Sequence, residues 1–520
     1  MAMVCRSSAS PPPLVSVSAE KQDEPAEVHL ERGLSLARGG QLQSAEAELR
    51  TAVTMKPDDA EFLASLATVL AMQKKFPEST SLFEKVLNLS PGDLLSRRYL
   101  AANLLQLHQY AEAKQSLRII LSADPADSQA KLLLGMASEN TGDYAMAITM
   151  LASVPDLVRG QPEAAVALAK SYYRTGERNK ATNCLNELSN GPLGAQGTLL
   201  AAQIADDMRD YATAETLLNT VPGEFPDIDT ARYRLAVVKF HAKEYEQSER
   251  ILQELISTGQ RKGEILRLLA WCHHKRNHDE NAIRTFREAV QLNPADEANF
   301  LDLGALLLEQ RKFAAALELA NRTVNAFPSS SNAVLLLGSI ELAAERFTDA
   351  VKTYSRSLSL DQNNAEAILG LAKAQAGAGM GEQAKMTLER AVRQFPARGY
   401  FELELALLLL KENETGNPHS QTRAEQLLQA AAEHDPTLAE AQSQLGELAL
   451  QRGQIAAALV HLESAVRISP ERARAHFSLA RGYRRAGRIE DAEKETALYE
   501  KLKNGGAAAA PLSSNAASRE

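Results

Sequence analysis

Residues 89–127 read LSPGDLLSRRYLAANLLQLHQYAEAKQSLRIILSADPAD. Pro91 and Pro125 stand 34 residues apart, and each closes a segment in which apolar and small residues recur at helical spacing. Pro57 precedes them by the same step, and Pro294 and Pro328 repeat it. A fixed period of this size is the signature of a repeat architecture, in which one short motif recurs along the chain.

Extending the frame in both directions gives fourteen units, beginning at residues 26, 60, 94, 128, 162, 195, 229, 263, 297, 331, 365, 399, 439 and 473. The eighth place is Gly or Ala in all fourteen, from Gly33, Ala67 and Ala101 to Ala270, Gly446 and Ala480. The twentieth place, moved by six in the lengthened twelfth unit, is Ala in twelve units and Ser in two, Ser79 and Ser248. Nine units carry Pro at the thirty-second place. Two helices of about 14 residues can lie antiparallel in close contact only where small side chains meet, so these two places are the contact points. Leu100, Leu134, Leu168, Leu269 and Leu303 at the seventh place fill the space around them. Proline cannot continue the second helix and marks the junction to the next pair. One pair cannot bury its own apolar face, and stacking against neighbours solves this, so the pattern predicts an all-α solenoid.

The pattern resembles the tetratricopeptide repeat, over residues 26 to 504. The resemblance implies a right-handed superhelical solenoid of antiparallel helix pairs whose first helices line a concave groove for peptides or protein surfaces. Residues 1–25, rich in Ser and Pro, are expected to form a disordered arm, and 505–520 a flexible tail. The insertion KENETGNPHSQT, 411–422, lengthens the turn of the twelfth unit into a polar loop. The charged second helix of the fourteenth unit reads as a terminal cap facing water.

Composition excludes several alternatives. With 45% apolar and 24% charged residues the chain reads as folded, and a net charge of -9 does not suit a protein built to neutralise nucleic-acid phosphates. No apolar run approaches the length of a membrane span. Cys5, Cys184 and Cys272 are too dispersed for a disulfide framework, so a cytoplasmic location is expected; a signal upstream of this sequence would instead make the protein an exported one.

Two stretches invite chemical readings. RLLAWCHHKRNHDENAIRTF, 267–286, gathers Cys272, His273, His274, His278 and Trp271. Consecutive residues on a helix point about 100° apart, and His278 falls in a turn, so these side chains do not converge on a metal ion. GAGMG, 377–381, suggests a phosphate-cradling loop, but that signal needs a preceding strand, and the frame places it at the turn of the eleventh unit. No catalytic motif and no cofactor-binding motif stands outside the frame, so no enzyme activity and no cofactor are expected.

In the family, the groove is lined by the second, fifth, ninth, twelfth and thirteenth places. Carried onto this sequence, these places give Lys170, Tyr173 and Arg174 in the fifth unit, Tyr233, Phe240 and His241 in the seventh, and Arg267, Trp271, His274 and Lys275 in the eighth. Aromatic rings and arginines dominate binding hot spots, and an acidic or extended peptide suits this surface. The same places in units 9 to 12 carry Leu301, Leu308, Leu335, Leu342, Leu369, Leu403, Leu407 and Leu410, read as core unless the groove is open there. In the last unit they carry Arg474, Arg481, Arg484 and Arg485, read first as a solvated face. The expected function is a non-catalytic protein-protein interaction scaffold or adaptor with a protein or peptide partner. Two other readings are the substrate-selecting or regulatory subunit of a separate enzyme, and an RNA-binding helical-repeat protein. The 34-residue period and the acidic charge weigh against the last, and no nucleic-acid partner is expected.

Overall fold

The computed structural model describes residues 24–412 and 418–505. Among them there are 29 helices in consecutive pairs and no strand, with 79% of the chain helical. First helices begin at Ala26, Ala60, Leu94, Ser128, Pro162, Ala195, Ile228, Gly263, Glu297, Ser331, Ala365, Gly399, Ala439 and Ala473. The fold is an all-α stack of tetratricopeptide-like pairs, about fourteen in number. Residues 1–23 of the expected arm, 413–417 of the expected polar loop and 506–520 of the expected tail lie outside the described residues.

The elements follow from local chemistry. Helices end two residues before a proline, at Leu89 before Pro91, Ala123 before Pro125, Leu292 before Pro294 and Ala326 before Pro328, because the pyrrolidine ring forces its predecessor out of the helical region. The next helix then starts on a side-chain cap: Asp59, Asp93, Asp127 and Asp296 each accept a hydrogen bond from a backbone N–H in the first turn. In the thirteen pairs whose fifteenth place lies among the described residues, the turn is made there by a residue in the left-handed region. Six are glycines, such as Gly142 at φ 76°, and seven are not, such as Lys74 at 61° and Arg311 at 54°. GAGMG is such a turn, with one helix ending at Gly377, Gly379 at φ 79° and the next helix starting at Gly381.

The helices of a pair meet where the sequence places small residues. Every residue at the twentieth place, Ala45, Ser79 and Ala113 through Ala424, Ala458 and Ala492, is completely buried. Where serine replaces alanine its hydroxyl is satisfied locally: Ser79 Oγ donates to the carbonyl of Ala67, and Ser248 Oγ to that of Ala236, both at 2.7 Å. The leucines at the seventh place are buried as expected. A further large residue, one turn beyond the small one, completes the contact: Leu49, Phe83, Leu117, Leu151, Leu185, Phe286, Leu428 and Leu462 are all fully buried. Glycine at the eighth place makes room for it, since a Cβ on Gly135 would lie 2.5 Å from Leu151 Cγ. In the ninth unit Ala320 takes this large residue's place, and Leu336 of the next unit fills the space over Gly304 instead.

The chain divides into two compact bodies, residues 1–251 and 252–520. In the first, buried clusters run from Ala26–Leu70 through Leu100 and Leu117 to one that joins Leu132, Leu185 and Val238. The fourth unit departs from the expected pattern: its second helix is only Tyr144–Ala152, and an extra short helix, Pro155–Gly160, follows. Pro155 accounts for this, being excluded from a helix interior but suited to a first turn. In the second body, clusters around Phe286 and Phe300, around Tyr354, around Phe401 and Leu428, and around Leu462 succeed one another along the stack. The Tyr354 ring lies between two glycines, Gly338 and Gly370, and its hydroxyl donates to Ser339 Oγ at 3.2 Å.

A Cβ on Gly370 would stand 2.2 Å from Tyr354 Cζ, and the ring is held on its other side by Gly338. Gly370→Ala is therefore expected to cost ~1–3 kcal/mol through overpacking. Gly379→Ala, with nothing within 4 Å of the new methyl, costs about 1 kcal/mol through its positive φ alone. Urea titration followed by circular dichroism separates the two.

Candidate functional site

The sequence-selected residues sit toward the ends of first helices. Lys170, Tyr173 and Arg174 close the helix Pro162–Arg174, and Tyr233, Phe240 and His241 lie on Ile228–His241. Both helices belong to the first body. Arg267, Trp271, His274 and Lys275 share one helix of the second body, Gly263–Lys275.

In the first body the phenol of Tyr173 is buried and donates to Asp210 Oδ2 at 2.9 Å; burial, reinforced by that carboxylate, holds its pKa well above the usual tyrosine range. Arg174 is exposed and Lys170 half-buried, and both act on Glu139, whose carboxyl burial pushes up while the two cations pull it down. His241 Nδ1 lies 2.9 Å from both oxygens of Asp206, and the Phe240 ring meets Tyr245 edge-on at 5.3 Å. Tyr233 is half-buried.

The second body brings its four residues into one assembly. Trp271, the only tryptophan of the chain, donates through Nε1 to Asp302 Oδ2 at 3.2 Å. Phe286 and His274 meet its ring edge-on at 5.4 and 5.6 Å, and Lys275 Nζ lies 5.9 Å from the ring centre. Arg267 approaches the same Asp302 oxygen at 3.5 Å. His274 is buried, with Nδ1 at 2.8 Å from Asp279 and Nε2 at 3.4 Å from Glu309. Trp271 is thus a half-buried ring fixed on several sides, and Lys275 beside it is exposed. Cys272, next along the helix, faces inward and is fully buried.

Asp302 is the side chain of this assembly that sequence reasoning missed. It lies on Glu297–Glu309, one unit further on, at a place outside the groove set. Burial lifts its carboxyl above the usual aspartate range, against the opposing pull of the Trp271 hydrogen bond and Arg267. Two selected residues, Tyr173 and His274, are buried and hydrogen-bonded within the array, leaving the other eight as the surface a partner could touch. Of the leucines in units 9 to 12, Leu403 is buried and the rest are half-buried, packed at the margin of the core. Of the last unit's arginines, Arg481 is paired with Glu447, Arg484 donates to Thr496 and Arg485 to the carbonyl of Leu450.

These features define a helical-repeat protein whose first helices carry the polar and aromatic side chains. Family models described as tetratricopeptide repeat match residues 30–93, 199–263 and 301–365, residues 70–137, 341–408 and 449–513, and residues 264–296. Together they span well over half of the sequence, and the chain belongs to the tetratricopeptide-repeat family, whose arrays are protein-interaction scaffolds. It is 22% identical over 292 residues to Protein CTR9 homolog of Arabidopsis thaliana, covering 53% of this chain and 26% of that one. It is 22% identical over 295 residues to BBSome complex member BBS4 of Bos taurus, covering 56% and 50%. The match with these relatives therefore spans about a quarter and a half of their lengths. Among solved structures, Naa15/Naa10 bound to HypK-THB matches with a TM-score of 0.44 and 14% identity over 92% of this chain and 94% of that one. Yeast Tom70 gives 0.42 and 14% over 92% and 99%. Among the described residues no helix is long and apolar enough to cross a membrane.

The raised Asp302 carboxyl gives the tryptophan site a pH dependence. An acid whose folded pKa lies above its unfolded value stabilises the fold most when protonated, below the unfolded value near 3.9, and this is lost as pH rises through the folded value. Acid titration of the intrinsic fluorescence of Trp271 is expected to show a step centred above the ordinary aspartate range. Asp302→Asn is expected to remove that step.

Proposed function

We propose that the chain is a scaffold without catalysis of its own, holding an acidic or extended peptide, or a protein surface, on the first-helix face of its repeats. Trp271 carries this reading. A large ring braced by Phe286, His274 and Asp302, with an exposed lysine beside it, has already lost most of its rotamer freedom. Such a ring can bury area against a partner at little further entropy cost. In the other body, Arg174 and Lys170 supply positive charge that Glu139 offsets only in part, which favours an acidic partner. The relative named as a BBSome complex member supports a task in assembly. The dispersed cysteines support a reducing, cytoplasmic setting.

Partners captured by the full chain and identified by mass spectrometry provide the ligand for a direct measurement. Trp271→Ala is expected to weaken its binding about 30-fold, the ~2 kcal/mol of a hot-spot ring. Tyr233→Ala and Arg174→Glu are expected to have smaller effects, with helicity by circular dichroism unchanged in all three. Equal affinity of wild type and all three variants contradicts the reading.

A further inference from the structure

The first helices of the last two repeats, Ala439–Gln451 and Ala473–Arg485, pack side by side and leave a cleft of about 240 Å3 between their side chains. Charge in this cleft is unevenly settled. Glu440 is paired with Arg472 at 2.5 Å, and Glu447, with both oxygens engaged, with Arg481 at 3.0 Å. Arg474 also lines the cleft, is exposed, and has no ion pair or hydrogen bond among the described residues. Arg472 and Arg474 line the cleft with Glu440 and Glu447, and Arg481, outside the lining, reaches Glu447, so three arginines meet two glutamates. Ser443 and Ser478, 9% and 3% exposed, line the same cleft, and neither hydroxyl has a partner among the described residues.

An apolar feature adjoins this polar one. Phe477, on the same helix as Arg474, is 41% exposed. Its ring is held between the Arg481 guanidinium, 5.9 Å from the ring centre, and the Tyr499 ring at 5.2 Å. Phe477 stands three residues beyond Arg474 on the same helix, so the exposed ring and the unpaired guanidinium share one helix face. A planar guanidinium matches a carboxylate with two parallel hydrogen bonds, and serine hydroxyls add donors to the same anion. Arg484 and Arg485, both exposed, extend the positive field around the cleft.

We propose that this cleft is a second binding site, which takes a carboxylate of an acidic peptide on Arg474, Ser443 and Ser478 and seats a neighbouring apolar side chain against Phe477. The proposal rests on the scaffold reading and adds to it a separate place on the first-helix face, since none of its residues takes part in the Trp271 assembly. Glu440 and Glu447 are already neutralised by their arginines and so do not repel the incoming anion. A basic peptide finds no unpaired carboxylate among the cleft-lining glutamates.

The test uses the full chain and three fluorescein-labelled probes: a hexapeptide alternating glutamate and phenylalanine, the same peptide with lysine for glutamate, and a hexamer of uridine. Fluorescence anisotropy is expected to show binding of the acidic peptide alone. Arg474→Glu is expected to weaken it at least tenfold, the loss of one hydrogen-bonded charge pair, and Phe477→Ala several-fold. Arg467→Glu, the same charge change on the exposed face of the preceding helix, is expected to stay within twofold. Arg474→Gln guards against a misfolded charge reversal, and it too must weaken binding. No binding of the acidic peptide, equal losses from Arg467→Glu and Arg474→Glu, or tighter binding of the oligouridine each overturns the proposal. Trp271→Ala is expected to leave this binding intact, so failure at one site is distinguishable from failure at the other.

Discussion

The close approach of two helices at a pair of small side chains is the constraint on which this molecule depends. All fourteen residues at the twentieth place are completely buried, twelve as alanine and two as serine whose hydroxyls bond to the backbone of the facing helix. Interhelical distance is fixed there, and the large residues at the seventh place and one turn beyond the twentieth have one space to fill. Leu151 against Gly135 and Leu462 against Gly446 show how tightly that space is used. Dispersion and burial then act repeat by repeat, each fully buried leucine adding ~1.5–3 kcal/mol. No disulfide or bound group is needed to explain the stack.

Register has a second consequence, because side chains at the same place in successive units recur on the same face and can bond across the junction. Trp271 uses Asp302, 31 residues on; Tyr173 uses Asp210, 37 residues on; Arg481 uses Glu447, 34 residues back. The polar and aromatic residues of the first-helix face thus tie neighbouring repeats together while presenting part of their surface outward. A ring such as Trp271 is rigid for the same reason that it is only half exposed. Of the last unit's groove-place arginines, Arg481 and Arg485 reach the preceding repeat, Arg484 bonds within its own, and Arg474 has no partner among the described residues.

Most of the fold was legible in the sequence, because period, small contact residues and closing prolines are local signals that stacking does not override. The left-handed turns were readable only in part. Glycine marks six of them, but Lys74, His108, Arg209 and Arg311 adopt the same conformation because the helix pair imposes it. The short helix after Pro155 broke a regular pattern at a residue that the frame did not single out. For the candidate site, the family places select residues on first helices but do not give the direction of each ring. Tyr173 and His274 turn inward because carboxylates of other helices or turns reach them, and such meetings across sequence leave no periodic trace. Asp302 was invisible for the same reason, and so was the difference between one unpaired arginine and three engaged ones.

The helix Tyr110–Ala123 offers a matched comparison for the central claim. Ala113 is its completely buried contact residue, and Ala111, two positions earlier, is exposed. Ala113→Leu and Ala111→Leu add the same atoms to the same helix, so the difference between their urea unfolding midpoints isolates the contact. The account predicts that Ala113→Leu loses ~1–3 kcal/mol or more while Ala111→Leu stays within about 0.5 kcal/mol of the parent. Equal midpoints for the two variants would contradict it.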